Sequence, residues 1–134
     1  MSDYNQRVVA EFRANGGKMG GHFQGAPMLL LHSIGARSGE ARVTPLMYQP
    51  LDGGAVAVFA SNNGADTNPA WYYNLLAHPE VEIEIGSELL RVRGRVADGG
   101  EREEIWERQK QYRQAFAEYE TMTERQIPVV ILEF

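Results

Sequence analysis

The sequence of 134 residues contains no cysteine, which excludes disulfide bonds, thiolate metal sites and cysteine nucleophiles. It also lacks an apolar run of the roughly 18 to 20 residues that a membrane-spanning helix needs. Its N-terminus has no basic segment followed by an apolar one, so we expect no export and place the protein in the cytoplasm. The length and the hydrophobic content of 43% predict a single domain with one core.

Positive charge is scarce as well. The 13 lysines and arginines are outnumbered by 18 aspartates and glutamates, which gives a formal net charge of -5 at pH 7. A general nucleic-acid-binding domain usually carries a basic excess, so no nucleic-acid partner is predicted. Any anionic ligand must then be held by a local cluster of basic residues.

Several common motifs are missing. His22, His32 and His78 lack metal-ligand spacing, so no metal site is predicted. The absence of a Gly-x-Gly-x-x-Gly fingerprint and of a P-loop argues against a nicotinamide- or ATP-binding fold. Ser38 lies in Gly-Ala-Arg-Ser-Gly, which lacks the Gly-x-Ser-x-Gly order of a serine hydrolase.

Residues 1–24 are predicted to form an N-terminal helix and a flexible hinge. Val8, Val9 and Phe12 fit helical spacing, and the glycine-rich stretch 16–21 follows. Two interpretations stay open. The helix packs loosely on the body or is partly disordered, or it acts as a lid or makes peripheral contact with a membrane.

The middle of the chain is predicted to contain strands. Runs at 28–32, 42–48 and 55–60 indicate a three-stranded meander, joined by turns at 35–41 and 51–54. A short helix over about 69–77 follows, because Asn68 is a good N-cap and Pro69 suits the first helical position.

Charge and apolar patterns together set the register of the next hairpin. With Gly86-Ser87 as its turn, acidic residues face arginines on one side and apolar residues face each other on the other side. The predicted pairs are Glu80 with Arg93, Glu82 with Arg91, Val81 with Val92, and Ile83 with Leu90.

The last third is predicted to hold one longer helix and a final strand. Asp98 or a neighbouring glycine opens the helix. Its predicted inner stripe consists of Ile105, Gln109, Tyr112, Phe116 and Tyr119. Pro128 introduces the apolar strand 129–132, which we expect to be covered on both faces. Six strands and two or three helices in this order predict a small, mostly antiparallel barrel with helices closing its openings.

Two neighbouring segments, 35–48 and 61–74, indicate a ligand site. In the first, a glycine-bounded turn carries Arg37 and Arg42, which can bind phosphate or carboxylate oxygens. The second brings Trp71 and two tyrosines to a helix start. Alternatively, the first is a plain polar hairpin loop and the aromatic residues fill the core. Their closeness in sequence favours one shared site for a ligand with an anionic tail and a flat ring.

Segments spread over nearly the whole chain are similar to one known family. They are Pro27-Met28-Leu29-Leu30-Leu31, Gly35-Ala36-Arg37-Ser38-Gly39, Arg42-Val43-Thr44-Pro45-Leu46, Ala60-Ser61, Asn68-Pro69-Ala70-Trp71-Tyr72-Tyr73-Asn74-Leu75, Ala77-His78-Pro79 and Arg125-Gln126-Ile127-Pro128-Val129. In this order and spacing they resemble the deazaflavin-dependent nitroreductase family of split β-barrel oxidoreductases.

The resemblance implies an α+β fold: a six-stranded, antiparallel, FMN-binding-like split β-barrel over residues 25–134, with two or three flanking helices. It also implies coenzyme F420, an 8-hydroxy-5-deazaflavin whose tail carries a phosphate and oligoglutamate. Carried over by position, the implied cofactor-binding residues are Arg37, Ser38, Gly39 and Arg42 for the tail, and Val43, Thr44, Pro45, Leu46, Met47, Ala60, Ser61, Asn62, Ala70, Trp71, Tyr72, Tyr73, Asn74 and Phe116 for the ring side.

The implied activity is hydride transfer from reduced F420 to a flat electrophilic acceptor such as a quinone, an enone or a nitroaromatic. Ser61 and Tyr119 are candidates for polarising the acceptor or donating a proton. Alternatively, Ser61 only bonds the cofactor ring and the Tyr119 hydroxyl lies in water. Nitroreductase members of the family have lysine at the position of Asn62 and tyrosines at the positions of Met47 and Phe116, so the resemblance does not extend to activity on bulky nitro compounds.

Two other functions are compatible with these residues. The chain could bind F420 without turnover, as a carrier or sensor, or it could bind FMN or haem on the same barrel. We expect a monomer or a weak dimer that works on a small-molecule acceptor.

Overall fold

The computed structural model describes residues 3–20 and 25–134, so His22 and part of the predicted hinge lie outside the described residues. The elements in chain order are α1 (Asp3–Ala14), β1 (Met28–Ile34), β2 (Ala41–Met47), β3 (Gln49–Pro50), β4 (Val56–Phe59), α2 (Ala70–Ala77), β5 (Glu80–Ile85), β6 (Glu88–Val96), α3 (Gly99–Tyr112), α4 (Gln114–Met122) and β7 (Val129–Glu133). Among the described residues, no helix is long and apolar enough to cross a membrane.

The seven strands of the described residues belong to one antiparallel sheet in the order β2-β1-β5-β6-β7-β4-β3. Its two edge strands, β2 and β3, are separated along the chain by Tyr48 alone. The sheet must therefore curl until its edges approach each other. This half-barrel with flanking helices confirms the predicted fold class. In the part of the chain that the structure describes, there is one short extra strand, β3, and there are four helices in place of two or three.

The predicted three-stranded meander is wrong at its third strand. β2 pairs with β1, but β4 pairs with β3 and β7. The turn at 51–54 was correctly placed, since the Leu51 N–H donates to the Ala55 carbonyl at 2.9 Å, yet it joins β3 to β4. The two residues of β3 were too short to be recognised as a strand.

The hairpin of β5 and β6 has the predicted register. Glu80 lies opposite Arg93, Val81 opposite Val92, Glu82 opposite Arg91, and Ile83 opposite Leu90. The Arg93 guanidinium also lies 3.2 Å from the Glu80 carboxylate. Both side chains are exposed, so the apolar face contributes most to this pairing.

Strand β7 is apolar from Val129 to Leu132, and both of its faces are covered. Val130 and Leu132 of β7 pack in one cluster with Leu29, Leu31 and the α2 side chains. Val129 and Ile131 point to the other face and pack with residues of α3 and α4. This arrangement confirms the expectation for strand 129–132.

The single long helix predicted after Asp98 is two helices. The chain is extended at Arg113, with φ -142° and ψ 110°, and α4 starts at the next residue. After the break, α4 folds back against α3. The Trp106 indole and the Lys110 ammonium of α3 both donate to the Glu120 carboxylate of α4. Tyr112 consequently leaves the predicted inner stripe and is 61% exposed.

The predicted N-cap of α2 is also wrong. Pro69 occupies the cap position, and no side chain among the described residues caps the helix. Asn68 has other partners, because its Oδ1 accepts from Arg125 at 2.6 Å and its Nδ2 lies 3.3 Å from the Tyr73 hydroxyl.

Helix α1 is packed on the outer face of β1 and β2. Val8, Val9 and Phe12 are buried with Met28 and Leu30. At its C-terminal end, the Arg13 guanidinium donates to both Glu84 oxygens, at 3.2 and 2.8 Å. His32 Nε2 lies 2.6 Å from the same carboxylate. The Arg13 hydrogen bond, with a further contribution from His32, lowers the pKa of Glu84 below its ordinary value of 4.5.

Acid should therefore loosen the attachment of α1. A carboxyl group whose pKa is lowered by folding contributes its full stabilisation when the pH is above its pKa in the unfolded chain. This contribution disappears as the pH falls below 4.5. We expect Glu84→Gln to reduce stability near neutral pH by about 1 kcal/mol and to flatten the acid limb of the stability curve. Denaturant unfolding at several pH values measures both effects. The matched control is Glu80→Gln on the same strand, and an equal effect of the two variants would contradict this role of Glu84.

Candidate functional site

A cavity of about 310 Å³ opens between α1, β2 and α4. Its walls are mostly apolar. Its polar residues lie on α1, at the start and on the face of α4, and where the chain leaves β4. The lining residues are Tyr4, Asn5, Val8, Met28, Pro45, Leu46, Met47, Phe59, Ser61, Asn63, Arg113, Ala115, Phe116 and Tyr119. An apolar cleft with a few convergent polar groups is the usual form of a small-molecule site.

One polar part of the cavity wall is a tight turn with an unusual backbone. Asn62, Asn63 and Gly64 have φ values of 48°, 55° and 83°. A Cβ on Gly64 would lie 2.6 Å from the Met122 sulfur and would displace that side chain, and the positive φ itself favours glycine. The turn brings Ser61 and Asn63 to the cavity. Asn62 points elsewhere, and its Nδ2 donates to the Thr67 carbonyl at 3.1 Å.

Aromatic packing places Tyr119 at the opposite wall. Its ring lies 5.4 Å from the ring of Phe116, which in turn lies 5.5 Å from the ring of Phe59. The Tyr119 hydroxyl is 3.5 Å from Asn63 Oδ1, a long contact that leaves the hydroxyl available to another acceptor or donor. Ser61, Phe116 and Tyr119 are therefore brought together, as are Pro45, Leu46 and Met47.

The arginine loop, residues 35–42, joins β1 to β2. The Gly35 N–H donates to the Glu40 carbonyl at 2.8 Å, and Gly39 has a φ of 71°. Ser38 is exposed, and its Oγ accepts from the Glu40 N–H at 3.2 Å. Arg42 lies 3.9 Å from the Glu40 carboxylate, a distance at which the ion pair is weak. Within the described part of the chain, Arg37 has no ion-pair partner.

A buried amide connects the two segments singled out in the sequence. Asn74 of α2 is buried, and its Oδ1 accepts from the Ala36 N–H of the arginine loop at 2.9 Å. This bond links the two segments directly, beside the packing of Trp71 and Leu75 against β1. Asn74 thus acts on the loop's backbone rather than lining the cavity.

The remaining predicted residues of α2 lie away from the cavity lining. Trp71 is only 6% exposed and packs in the core with Leu29 and Leu75. Tyr72 is half-buried, with its ring 6.5 Å from Trp71, and Tyr73 is 52% exposed. Ala70 is exposed and Ala60 is buried. Val43 and Thr44 are half-buried on β2 between the arginine loop and the cavity.

Sequence reasoning missed two parts of the site. The first is the wall that α1 forms with Tyr4, Asn5 and Val8. The helical pattern predicted an apolar face on this helix but did not indicate which part of the protein it packs against. The second is Asn63, whose left-handed backbone is signalled only by the Asn-Asn-Gly sequence. Among residues 3–20 and 25–134, no cluster of acidic and histidine side chains could hold a metal ion.

The fold and sequence match proteins of one family. Residues 5–134 match the F420H(2)-dependent quinone reductase family. An F420H(2)-dependent quinone reductase of Mycobacterium tuberculosis (strain ATCC 25618 / H37Rv) is 35% identical over 127 residues, covering 92% of this chain and 85% of that protein. A solved F420-H2 dependent reductase is 38% identical, with a TM-score of 0.72, over 80% of this chain and 94% of its own. Another solved chain, described as a domain-swapped dimer, is 34% identical with a TM-score of 0.74 over 98% of both chains. The chain therefore belongs to the F420H(2)-dependent quinone reductase family.

Proposed function

We propose that this chain is an oxidoreductase that transfers a hydride from reduced coenzyme F420 to a quinone or a similar flat electrophile in the cavity between α1, β2 and α4. The observation that carries the proposal is the course of β2. This strand starts beside the arginine loop and ends at the cavity. The five steps along the strand from Arg42 to Met47 span about 17 Å, because a strand rises about 3.3 Å per residue. One extended ligand can therefore bind at both places.

The arginine loop fits the anionic tail of F420. The side chains of Arg37 and Arg42 are exposed. Within the described residues, the ion pair that they form is the weak contact of Arg42 with Glu40, so their N–H groups can bind a ligand. Guanidinium groups bind phosphate and carboxylate through paired hydrogen bonds. In a protein with a net charge of -5, such a local cluster is what a polyanionic tail requires.

The cavity fits a flat ring and an acceptor beside it. Met47, Phe59 and Phe116 supply apolar walls that exclude water, and Ser61 and Tyr119 supply hydroxyl groups. Reduced F420 supplies the hydride when it is bound, since a deazaflavin prefers hydride transfer to one-electron steps. The chain's own residues hold the partners in place and donate hydrogen bonds to the acceptor's oxygen.

The acceptor wall favours a quinone over a bulky nitro compound. Met47 and Phe116 are apolar where nitroreductase members of the family have tyrosines, and the side chain of Asn62 is turned toward Thr67. The cavity therefore offers few donors to fix a nitro group, whereas a quinone needs an apolar slot and a donor near its oxygen. A carrier that binds F420 without turnover would not need this open space.

We propose further that the protein acts in the cytoplasm and approaches a membrane surface through residues 1–24. Supporting this, Tyr4 of α1 is 55% exposed although part of its side chain lines the cavity. An acceptor held in a membrane could enter beside this aromatic residue.

Removing the two arginines of the tail site should weaken F420 binding. Each charge-assisted hydrogen bond contributes about 1.5 to 3 kcal/mol, so Arg37→Ala with Arg42→Ala should raise the Kd for F420 at least about 100-fold. Fluorescence titration measures this change. The control with the same change in net charge is Arg91→Ala with Arg108→Ala, for which we expect a change below about threefold. Unchanged affinity in the first variant would make the arginine loop a plain hairpin loop.

The two hydroxyl groups of the cavity should affect turnover. We expect Tyr119→Phe and Ser61→Ala each to lower kcat by about 10- to 100-fold, because each removes a donor placed to stabilise charge on the acceptor. The assay is steady-state oxidation of reduced F420 by menadione. Tyr112→Phe, at an exposed tyrosine of α3, should leave kcat unchanged. Wild-type kcat in both cavity variants would exclude the hydroxyl groups from the reaction.

A further inference from the structure

The turn that carries Ser61 and Asn63 needs an external restraint. Two successive residues that are not glycine, Asn62 and Asn63, have left-handed φ values, and Gly64 continues the same conformation. Such backbone persists only where the surroundings hold it, and it is concentrated at functional sites. Within the turn, only two backbone bonds contribute, from Gly64 N–H to the Ser61 carbonyl at 2.9 Å and from Ala65 N–H to the Asn62 carbonyl at 3.1 Å.

Arg125 supplies this restraint. Its Nη2 donates to the Ala60 and Ser61 carbonyls, both at 3.1 Å, and its Nε donates to the Ala65 carbonyl at 2.9 Å. Its Nη1 donates to Asn68 Oδ1 at 2.6 Å. The guanidinium thus binds the chain on both sides of the left-handed residues.

The choice of acceptors points to a specific role. All four are uncharged oxygens of the segment 60–68, so Arg125 is used as a planar array of donors and not as a partner in an ion pair. A lysine carries the same charge but cannot present donors in this fixed geometry.

Arg125 also ties the turn to the opposite wall. It lies three residues beyond α4, the helix that carries Tyr119. Met122, at the end of α4, lies directly over Gly64, and the Tyr119 hydroxyl reaches Asn63. The turn and α4 are therefore fixed against each other where the polar groups of the cavity face one another.

We propose that Arg125 is a positioning residue of the reaction: its guanidinium holds the turn 61–64 so that Ser61 and Asn63 face the bound partners across from Tyr119. This role rests on the proposed function. The restraint itself does not, and the two can be measured separately.

The test compares Arg125→Lys and Arg125→Gln with Arg95→Lys and Arg95→Gln. Arg95 is a suitable control because it also uses several donors, but these bond Glu101 and Glu133 and not the turn. Hydrogen exchange of the Gly64 and Ala65 amides reports the restraint. Steady-state oxidation of reduced F420 by menadione reports the role in turnover.

For both Arg125 variants, we expect exchange at Gly64 and Ala65 to rise about tenfold, while exchange of the β1 and β5 amides stays at the wild-type level. We expect kcat to fall about tenfold, with a smaller change in the KM for menadione. The Arg95 variants should change neither quantity.

Unchanged exchange in Arg125→Lys would overturn the restraint, and raised exchange with wild-type kcat would overturn the positioning role. An increase in exchange that extends to β1 and β5 would show a general structural role instead and would also overturn the proposal. If the wild-type protein fails to oxidise reduced F420, the proposed function and the positioning role both fail. The exchange experiment then still decides whether Arg125 holds the turn.

Discussion

The chain passes from one edge of the sheet to the other through a single residue, Tyr48. This short connection constrains the curvature of the sheet and the position of the cavity. β2 ends at Met47 and β3 begins at Gln49, yet these strands lie at opposite edges of a seven-stranded sheet. The sheet can satisfy both positions only by curling, and the curl brings the end of β2 close to the end of β4. The cavity opens where these two strand ends approach each other and is covered by α1 and α4.

The same constraint gives the site two distinct ends. The arginine loop stands at the start of β2 and is fixed to α2 by the bond from the Ala36 N–H to Asn74. The cavity stands at the end of β2 and is shaped by a left-handed turn that Arg125 holds in place. A rigid strand between a cationic loop and an apolar cavity suits a cofactor with a charged tail and a flat reactive ring.

Local signals in the sequence were sufficient for some parts of this structure and not for others. The β5–β6 register followed from opposed charges and apolar pairs, which are short-range. The pairing of β4 with β7 did not follow from local signals, because β7 lies about 70 residues further along the chain and any apolar strand could have paired with β4. No glycine or proline marks the break at Arg113 in the sequence. The break accompanies a tertiary contact, in which α4 folds back toward Trp106. The arginine loop is predicted as a tail site from its own residues, whereas the wall formed by α1 depends on tertiary packing.

The central claim is that one F420 molecule lies along β2, with its tail at the arginine loop and its ring in the cavity. A crystal structure of the complex with oxidised F420 tests this most directly. The account predicts the tail phosphate or glutamate carboxylates within hydrogen-bond distance of Arg37 and Arg42, and the ring between Met47 and Ser61. A ring bound outside the cavity, or a tail bound away from the arginine loop, would contradict it.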